Sequence, residues 1–385
     1  MNDITIDKTG WKKYRFDEMV QNISERVEPG QTDLDVYVGL EHIDPDSLHI
    51  KRHGHPSDVE GTKLRFYKGD IIFGRRRAYQ RKTALATTDG ICSAHAMVLR
   101  AKEDVVDPMF LPFLFHSKSF IDMAITISVG GLSPTINWKD IAKQEFLLPP
   151  KPEQKRIAAL LWSADEMIEK EKMELQEADN YFNYQKTSLI WRTRFPLGRL
   201  KDVTSIGLKD GDWIESKDQS ESGIRLIQLA DIGDGEFINK SSRYISEDTF
   251  NKLHCFEVFP HDILLARMPN PIGRSCIMPQ LPERCITAVD VCVIRVDESN
   301  HNTLFINYMI NTPVFRKKVI EQSSGTTRQR ISRSNLEEMA IPLPSKDMQD
   351  SIVGKISRIE KLIISFQKQI GMSELIKQEI INKTY

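Results

Sequence analysis

Two short arginine-bearing segments hold the most distinctive chemistry of this sequence. Between Lys63 and Lys82 lie eight basic residues against one acidic residue, Asp70. Their densest part, Arg75-Arg76-Arg77-Ala78-Tyr79-Gln80-Arg81-Lys82, follows an apolar run and reads as an exposed loop. A guanidinium group grips phosphate oxygens or spans N7 and O6 of guanine with two bonds, and a glutamine amide pairs with adenine in the same two-bond manner. The second segment is Gly325-Thr326-Thr327-Arg328-Gln329-Arg330-Ile331-Ser332-Arg333. Here glycine lets backbone come close, hydroxyls suit phosphate oxygens, and Arg and Gln suit base edges. A solvated charged loop is the plain alternative for each segment. The concentration of these residue types in so few positions favours nucleic-acid contact.

Each segment has a counterpart in the other half of the chain. Arg75–Lys82 corresponds to Arg267-Met268-Pro269-Asn270-Pro271-Ile272-Gly273-Arg274, which is less basic and offers Arg267, Asn270 and Arg274. The Gly325 segment corresponds to Gly130-Gly131-Leu132-Ser133-Pro134-Thr135-Ile136-Asn137, which offers Ser133, Thr135 and Asn137. The correspondence is general. Ser117, Gly130, Ile136, Pro149, Gln154, Ile157 and Ile168 recur 195 positions later as Thr312, Gly325, Ile331, Pro344, Gln349, Ile352 and Ile363. A duplicated unit presents two similar surfaces, and similar scaffolds with unlike loops suit two unlike short targets on one long ligand such as DNA.

Catalytic signatures are missing. There is no G-x-x-x-x-G-K-[ST] nucleotide loop, and no Pro-Pro-aromatic tetrapeptide of an adenine methyltransferase. Asp58, Glu60 and Lys63 come nearest to the carboxylate-and-lysine set of a metal-dependent nuclease, and the second half has no match for them. The five cysteines (Cys92, Cys255, Cys276, Cys285, Cys292) lack zinc-ligand spacing and read as buried free thiols. Net charge is −1 and pI about 6.8, which excludes a uniformly basic binder but not locally basic loops. No run approaches the ~20 apolar residues of a membrane helix, and the first residues lack a signal-peptide pattern, so a cytoplasmic location is expected.

The elements that position these loops repeat as well. Short β-branched runs predict strands at Val36–Ile43, Asp70–Arg75 and Ala96–Arg100, then at Ile224–Leu229, Asp262–Arg267 and Val289–Val296. Asp107-Pro108 and Asn302 suit helix starts, as do Ser117 and Thr312. Phe110, Phe113 and Phe120, with Phe305, Tyr308 and Phe315, recur at helical spacing and read as core. Proline closes each globule, at Pro149-Pro150-Lys151-Pro152 and at Pro342-Leu343-Pro344. Heptad patterns follow: Ile157, Leu161, Ile168, Leu175, Phe182 and Leu189 in one copy, and Ile352, Ile356, Ile359, Ile363, Phe366 and Ile370 in the other. The second pattern is expected to slip near Gly371 and resume with Ile376 and Ile380. Each helix would span roughly 50 Å. The expected fold is α+β (mixed α/β): a globule over 1–150, a helix over 151–192, a globule over 193–345 and a helix over 346–385. The two helices would pair antiparallel as a coiled-coil spacer, giving an internal pseudo-twofold repeat.

The run Leu147-Leu148-Pro149-Pro150-Lys151-Pro152-Glu153-Gln154-Lys155-Arg156-Ile157 resembles the junction motif of type I restriction-modification specificity (S) subunits. So do Gly69-Asp70-Ile71-Ile72, its echo Asp262-Ile263-Leu264, and the second junction from Ile341 to Gln349. The resemblance covers essentially the whole chain and implies two target recognition domains, each reading half of a bipartite asymmetric site on double-stranded DNA. It implies a noncatalytic chain that docks two modification (methyltransferase) subunits and joins restriction subunits that translocate and cut DNA. It further implies that S-adenosylmethionine, ATP and Mg belong to those partners, with no cofactor or metal on this chain. The specificity subunit of another multi-subunit restriction system and a metal-dependent nuclease are the alternatives.

Overall fold

The computed structural model describes residues 6–192, 194–325 and 328–385. They form two compact units, Met1–Met173 with Gln367–Tyr385, and Glu174–Phe366. The first unit has an antiparallel sheet in the order Val20–Ile23, Ala96–Ala101, Ile71–Gly74, Thr83–Leu85. The second unit repeats it as Lys209–Asp210, Val291–Ile294, Ile263–Ala266, Ser275–Ile277. Another sheet in each contains one parallel pair, Tyr37–Val38 with Gly90–Cys92 in the first unit and Ile224–Ile227 with Cys285–Thr287 in the second. A two-stranded ribbon completes each unit, Lys12–Arg15 with Glu145–Leu148, and Leu197–Arg199 with Ala340–Pro342.

The central strands Ile71–Gly74 and Ile263–Ala266 are buried throughout, which is why they read as unbroken apolar runs rather than alternating ones. An aspartate precedes each. Asp70 accepts two bonds from Arg100 (2.7 and 2.8 Å), and Asp262 two from Arg295 (2.8 and 2.7 Å). The same carboxylates accept the N–H of Tyr67 (2.8 Å) and Phe259 (2.9 Å), so the entry turn and the neighbouring strand are tied at one point. The expected strand Val36–Ile43 is shorter than its composition suggests. It pairs only over Tyr37–Val38 and then turns at Leu40–His42, where the Gly39 N–H donates to His42 Nδ1 (3.1 Å).

Ser117, Asn302 and Thr312 cap Lys118–Thr126, Thr303–Ile310 and Pro313–Glu321 as expected, each accepting the N–H of a phenylalanine three residues on. Asp107 does not cap a helix directly. Its carboxylate accepts the Met109 N–H (2.9 Å) in a turn, and the helix is reduced to Leu111–Leu114. Phe110, Phe113, Phe120, Phe305, Tyr308 and Phe315 are all buried. In the first unit Phe120 meets Phe115 at 4.7 Å and Phe73 at 5.6 Å between ring centroids. All five cysteines are buried and free, and burial pushes the Cys92 thiol up to about 12.

The long helices are Lys151–Thr187 and Lys346–Thr384. Each starts in one unit and ends in the other, so neither folds back on its own globule alone. Within the first unit they run antiparallel. Asp165 pairs with Lys377 (2.7 Å), Lys172 with Glu374 (2.8 Å), and Glu171 accepts from Gln369 (2.7 Å). Within the second unit Phe182 of the first helix lies against Tyr308, whose hydroxyl donates to Glu360 of the second (2.5 Å). Ile157, Leu161, Ile168, Ile352, Ile356, Ile363 and Ile370 are buried, while Leu175, Phe182, Leu189 and Ile359 are half-buried. Phe366 departs from the expected seam and is exposed. The expected slip after Ile370 is absent as well. Lys377, seven residues on, holds the seam position, Ile381 and Thr384 follow it into the interior, and Ile376 is exposed.

A buried glutamine fixes the root of each helix. Gln154 Oε1 accepts the Asp107 N–H (2.7 Å) and its Nε2 donates to the Pro149 carbonyl (2.9 Å). Gln349 makes the same two bonds with Asn302 N–H (2.9 Å) and the Pro344 carbonyl (2.8 Å). Gln349→Leu keeps the volume and strands both backbone groups. It should cost about 1–3 kcal/mol, read as a lower urea midpoint with unchanged slope; an unchanged midpoint would remove the clamp from the argument.

A charged cluster holds the returning end of the second helix. Asp165 is buried and bonded by His49 Nε2 (2.5 Å) and Lys377 Nζ (2.7 Å). Burial alone would raise its pKa, but those two partners outweigh it and hold it at about 2. His49, against the Trp162 ring and facing Glu169 and Lys51, is raised above its ordinary value, first by the hydrogen bond to Asp165. His116, also beside Lys377, is pushed down to about 3 by burial and stays neutral. A raised histidine stabilises the fold fully below its unfolded pKa of about 6.5 and loses that contribution as pH climbs through the folded value. The carboxylate's contribution is present above its unfolded value and lost as pH falls toward about 2. His49→Gln should therefore lower the thermal midpoint more at about pH 5.5 than at about pH 8.5; an equal drop at both would contradict the pairing.

Candidate nucleic-acid interface

The segment Arg75–Lys82 follows directly from the buried strand Ile71–Gly74 and is more ordered than a free loop. It turns through a 3-10 stretch at Ala78–Gln80, with Arg77 and Arg81 at positive φ (56° and 54°) and Ala78 buried. The Gly130–Asn137 segment lies directly against it. Arg76 bridges Thr135, the Arg77 N–H donates to the Pro134 carbonyl (2.8 Å), and the Ile136 N–H donates to the Arg75 carbonyl (2.9 Å). The Arg77 guanidinium bonds Ser133 Oγ at 3.0 and 3.2 Å. Two segments that are far apart in sequence thus form one surface bearing Arg76, Arg77, Tyr79, Gln80, Ser133, Thr135 and Asn137. Tyr79 is 52% exposed at its edge.

Arg81 and Lys82 serve the fold instead. Arg81 pairs with Asp46 and donates to the His116 carbonyl (3.1 Å), and Lys82 donates to the Leu40 carbonyl (2.5 Å). Arg75 is half-buried, and its guanidinium reaches the Ala94 carbonyl at 3.3 Å.

The second unit repeats the scaffold and changes the electrostatics. The Ile331 N–H donates to the Arg267 carbonyl (3.2 Å), and Ser324 bridges Arg330, so the two segments again meet. Arg267 is buried, with Asp210 at 3.0 Å and Asp290 at 4.0 Å. Arg274 is also buried. It donates to the carbonyls of Ile232 (2.7 Å), Pro271 (2.8 Å) and Leu229 (2.8 Å), and burial lowers its pKa. Both arginines face inward because carboxylates and orphan loop carbonyls claim them, which their sequence context did not reveal. Asn270, Arg328, Gln329, Arg330 and Arg333 are exposed. Arg330 pairs with Asp290 (2.6 Å), and Arg333 lies near Asp210 (3.8 Å) and Glu337 (3.5 Å). Thr326 and Thr327 lie outside the described residues.

One feature of the first unit escaped the sequence. Arg26, Lys63, Arg75 and Trp138 line a cavity of about 400 Å³ with Asn22 and Ser24. These residues are scattered from position 22 to 138, and only strand pairing gathers them. Among the described residues no group of three or more His, Cys, Asp or Glu is placed to hold a metal ion, which disfavours the nuclease built on Asp58 and Glu60. Among the described residues no helix is long and apolar enough to cross a membrane.

Comparison with known proteins matches both halves. The family model "Type I restriction modification DNA specificity domain" covers residues 58–180 and 195–373. Among curated relatives, the type I restriction enzyme MjaVIII specificity subunit of Methanocaldococcus jannaschii is 23% identical over 314 residues, covering 76% of this chain and 73% of the relative. The EcoDI specificity subunit of Escherichia coli is 30% identical over 151 residues, 38% of this chain and 33% of the relative. A solved structure described as "Structural basis underlying complex assembly and conformational transition of the type I R-M system" shares the fold with a TM-score of 0.67 at 19% identity, over 98% of this chain and 97% of that one. The type I restriction-modification S subunit from M. genitalium shares it at 0.55 and 13% identity, over 100% and 98%. With the family model spanning most of both repeats, and each repeat carrying its paired loops and rooted helix, the chain belongs to the type I restriction-modification DNA specificity family.

Proposed function

We propose that this chain is the noncatalytic specificity subunit of a type I restriction-modification complex, and that each unit reads one part of a bipartite, asymmetric site on double-stranded DNA. The observation that carries the assignment of contacts is the pairing, in both units, of the strand exit at Arg75 or Arg267 with the second loop ending at Ile136 or Ile331. On this reading the contacts of the first unit are Arg76, Arg77, Tyr79, Gln80, Ser133, Thr135 and Asn137. Those of the second are Asn270, Arg328, Gln329, Arg330 and Arg333. Arg81, Lys82, Arg267 and Arg274 are left out because each is buried or half-buried as well as engaged by its own chain, whereas Arg77, Arg330 and Arg333 stay exposed beside their partners. The reading domains are 1–150 and 193–345, joined by the helical segments 151–192 and 346–385.

Modification subunits dock on the helices, and restriction subunits join through them, as the family membership implies. The seam residues Ile157, Leu161, Ile168, Ile352, Ile356 and Ile363 are buried against their own chain. Docking therefore falls on the outer faces, where Leu160, Met167 and Met173 of the first helix and Leu362, Met372 and Leu375 of the second are exposed. S-adenosylmethionine, ATP and Mg belong to those partners.

Fluorescence anisotropy on a duplex carrying the mapped site, with modification subunits present, tests the contacts. Arg77→Ala and Arg328→Ala should each weaken binding by about 1–3 kcal/mol and relax discrimination in different half-sites. A loss that is equal across all sequences would place the residue on phosphate instead. Absence of any salt-dependent binding would refute the function.

A further inference from the structure

The two units place a guanidinium at the same point and treat it in opposite ways. Arg75 and Arg267 each directly follow the central strand, and the carbonyl of each is bonded by the N–H of Ile136 or Ile331. In the second unit Asp210 and Asp290 close on Arg267. Strand register identifies what replaces them in the first unit. Asp210 stands opposite Cys292, and Cys292 opposite Leu265. The first-unit ladder runs Phe73 opposite Met97, with Ile23 opposite Val98, so the position of Asp210 is held by Ser24. Asp290 precedes Val291, which faces Ala266; His95 precedes Ala96, which faces Gly74, so His95 holds the position of Asp290. Two residues beyond Asp210, Asp212 accepts the Phe256 N–H (3.0 Å); two beyond Ser24 stands Arg26, opposite Leu64.

Three acidic positions of the second unit are therefore serine, histidine and arginine in the first. Arg75 Nε is buried with no hydrogen-bond partner among the described residues, as is Arg267 Nε, but only Arg267 has carboxylates beside it among the described residues. Arg26, Lys63 and Arg75 share the 400 Å³ cavity with Asn22, Ser24 and Trp138, and among the described residues no aspartate or glutamate lines it. The adjoining Glu25 is held by Tyr67 Oη (3.0 Å) and Arg65 (3.6 Å), and Glu28 by Thr62. Arg75 is half-buried and among the described residues its side chain bonds only the neutral Ala94 carbonyl, and three cations around one opening make a strong field for an anion.

We propose that this cavity is a phosphate-oxyanion site that seats one phosphodiester of the DNA read by the first unit, and that the self-neutralised second unit has no counterpart. The proposal rests on the DNA-reading function. Arg75 supplies its free guanidinium N–H groups beside the one that reaches the Ala94 carbonyl, Arg26 adds an exposed cation, Lys63 adds charge at longer range because its ammonium is held by the Glu60 and Gly61 carbonyls, and Asn22 and Ser24 add neutral donors. The consequence is unequal salt dependence, with more of the electrostatic attraction carried by the half-site under the first unit.

Ser24→Asp transplants the second unit's carboxylate beside Arg75, and Arg26→Ala removes a cation without adding charge. In the complex with modification subunits, each should lower DNA affinity roughly tenfold and reduce the slope of log affinity against log salt by about 1, with base preferences unchanged. Unchanged affinity and slope in both variants would overturn the site. An effect of Ser24→Asp without one of Arg26→Ala would also overturn it, since both lower the net charge by one and the site as proposed uses Arg26. Should the unaltered complex show no salt-dependent DNA binding, the DNA reading itself fails. Pyrophosphate titration, followed by the fluorescence lost in Trp138→Phe, then decides the cavity alone. Quenching that Ser24→Asp abolishes would assign it to a free phosphate compound, and no quenching would sink the anion site as well.

Discussion

A single amide side chain at the base of each long helix is the constraint that the architecture depends on. Gln154 and Gln349 bond a backbone N–H from the preceding globule and a carbonyl from the proline junction, in surroundings from which water is excluded. Each carbonyl lies in a proline-bearing exit, where regular pairing is interrupted, and an unpaired buried backbone group is costly. The glutamine therefore sets the angle at which each helix leaves its globule. The Asp70–Arg100 and Asp262–Arg295 forks do the same for the central strands, and through them for the loops that follow.

The helices illustrate a second constraint. A seam of apolar residues alone leaves register open, because neighbouring heptads are alike. The pair Asp165–Lys377 breaks that degeneracy in the first unit, since any shifted register would take Lys377 from its carboxylate and leave buried Asp165 with His49 alone. The second unit fills related positions with Phe182 and Glu360, and Tyr308 of the helix Thr303–Ile310 contacts both. Duplicated backbones thus carry different locking chemistry.

Much of this was legible from residue order. The repeat offset, the caps at Ser117, Asn302 and Thr312, the inward aromatics and the proline exits each rest on a local rule, and the structure keeps them. What was not legible depended on partners distant in sequence. Ile376 read as a seam residue where Lys377 holds the seam, because apolar periodicity does not register a buried ion pair. Arg267 and Arg274 had the composition of a binding loop, yet Asp210 and the carbonyls of Leu229 and Ile232 claim them through tertiary contacts. The cavity under Arg75 was invisible for the same reason: its walls come from strands that meet only after folding.

The native thiols have a practical consequence. All five cysteines are enclosed, and burial raises Cys92, Cys276 and Cys292 to about 12, so their thiolate fraction near neutrality is negligible. A maleimide dye would ignore them. One new cysteine on an outward turn of each unit would therefore label cleanly in the otherwise unaltered chain, opening the movement of the two readers along a duplex to single-molecule energy transfer.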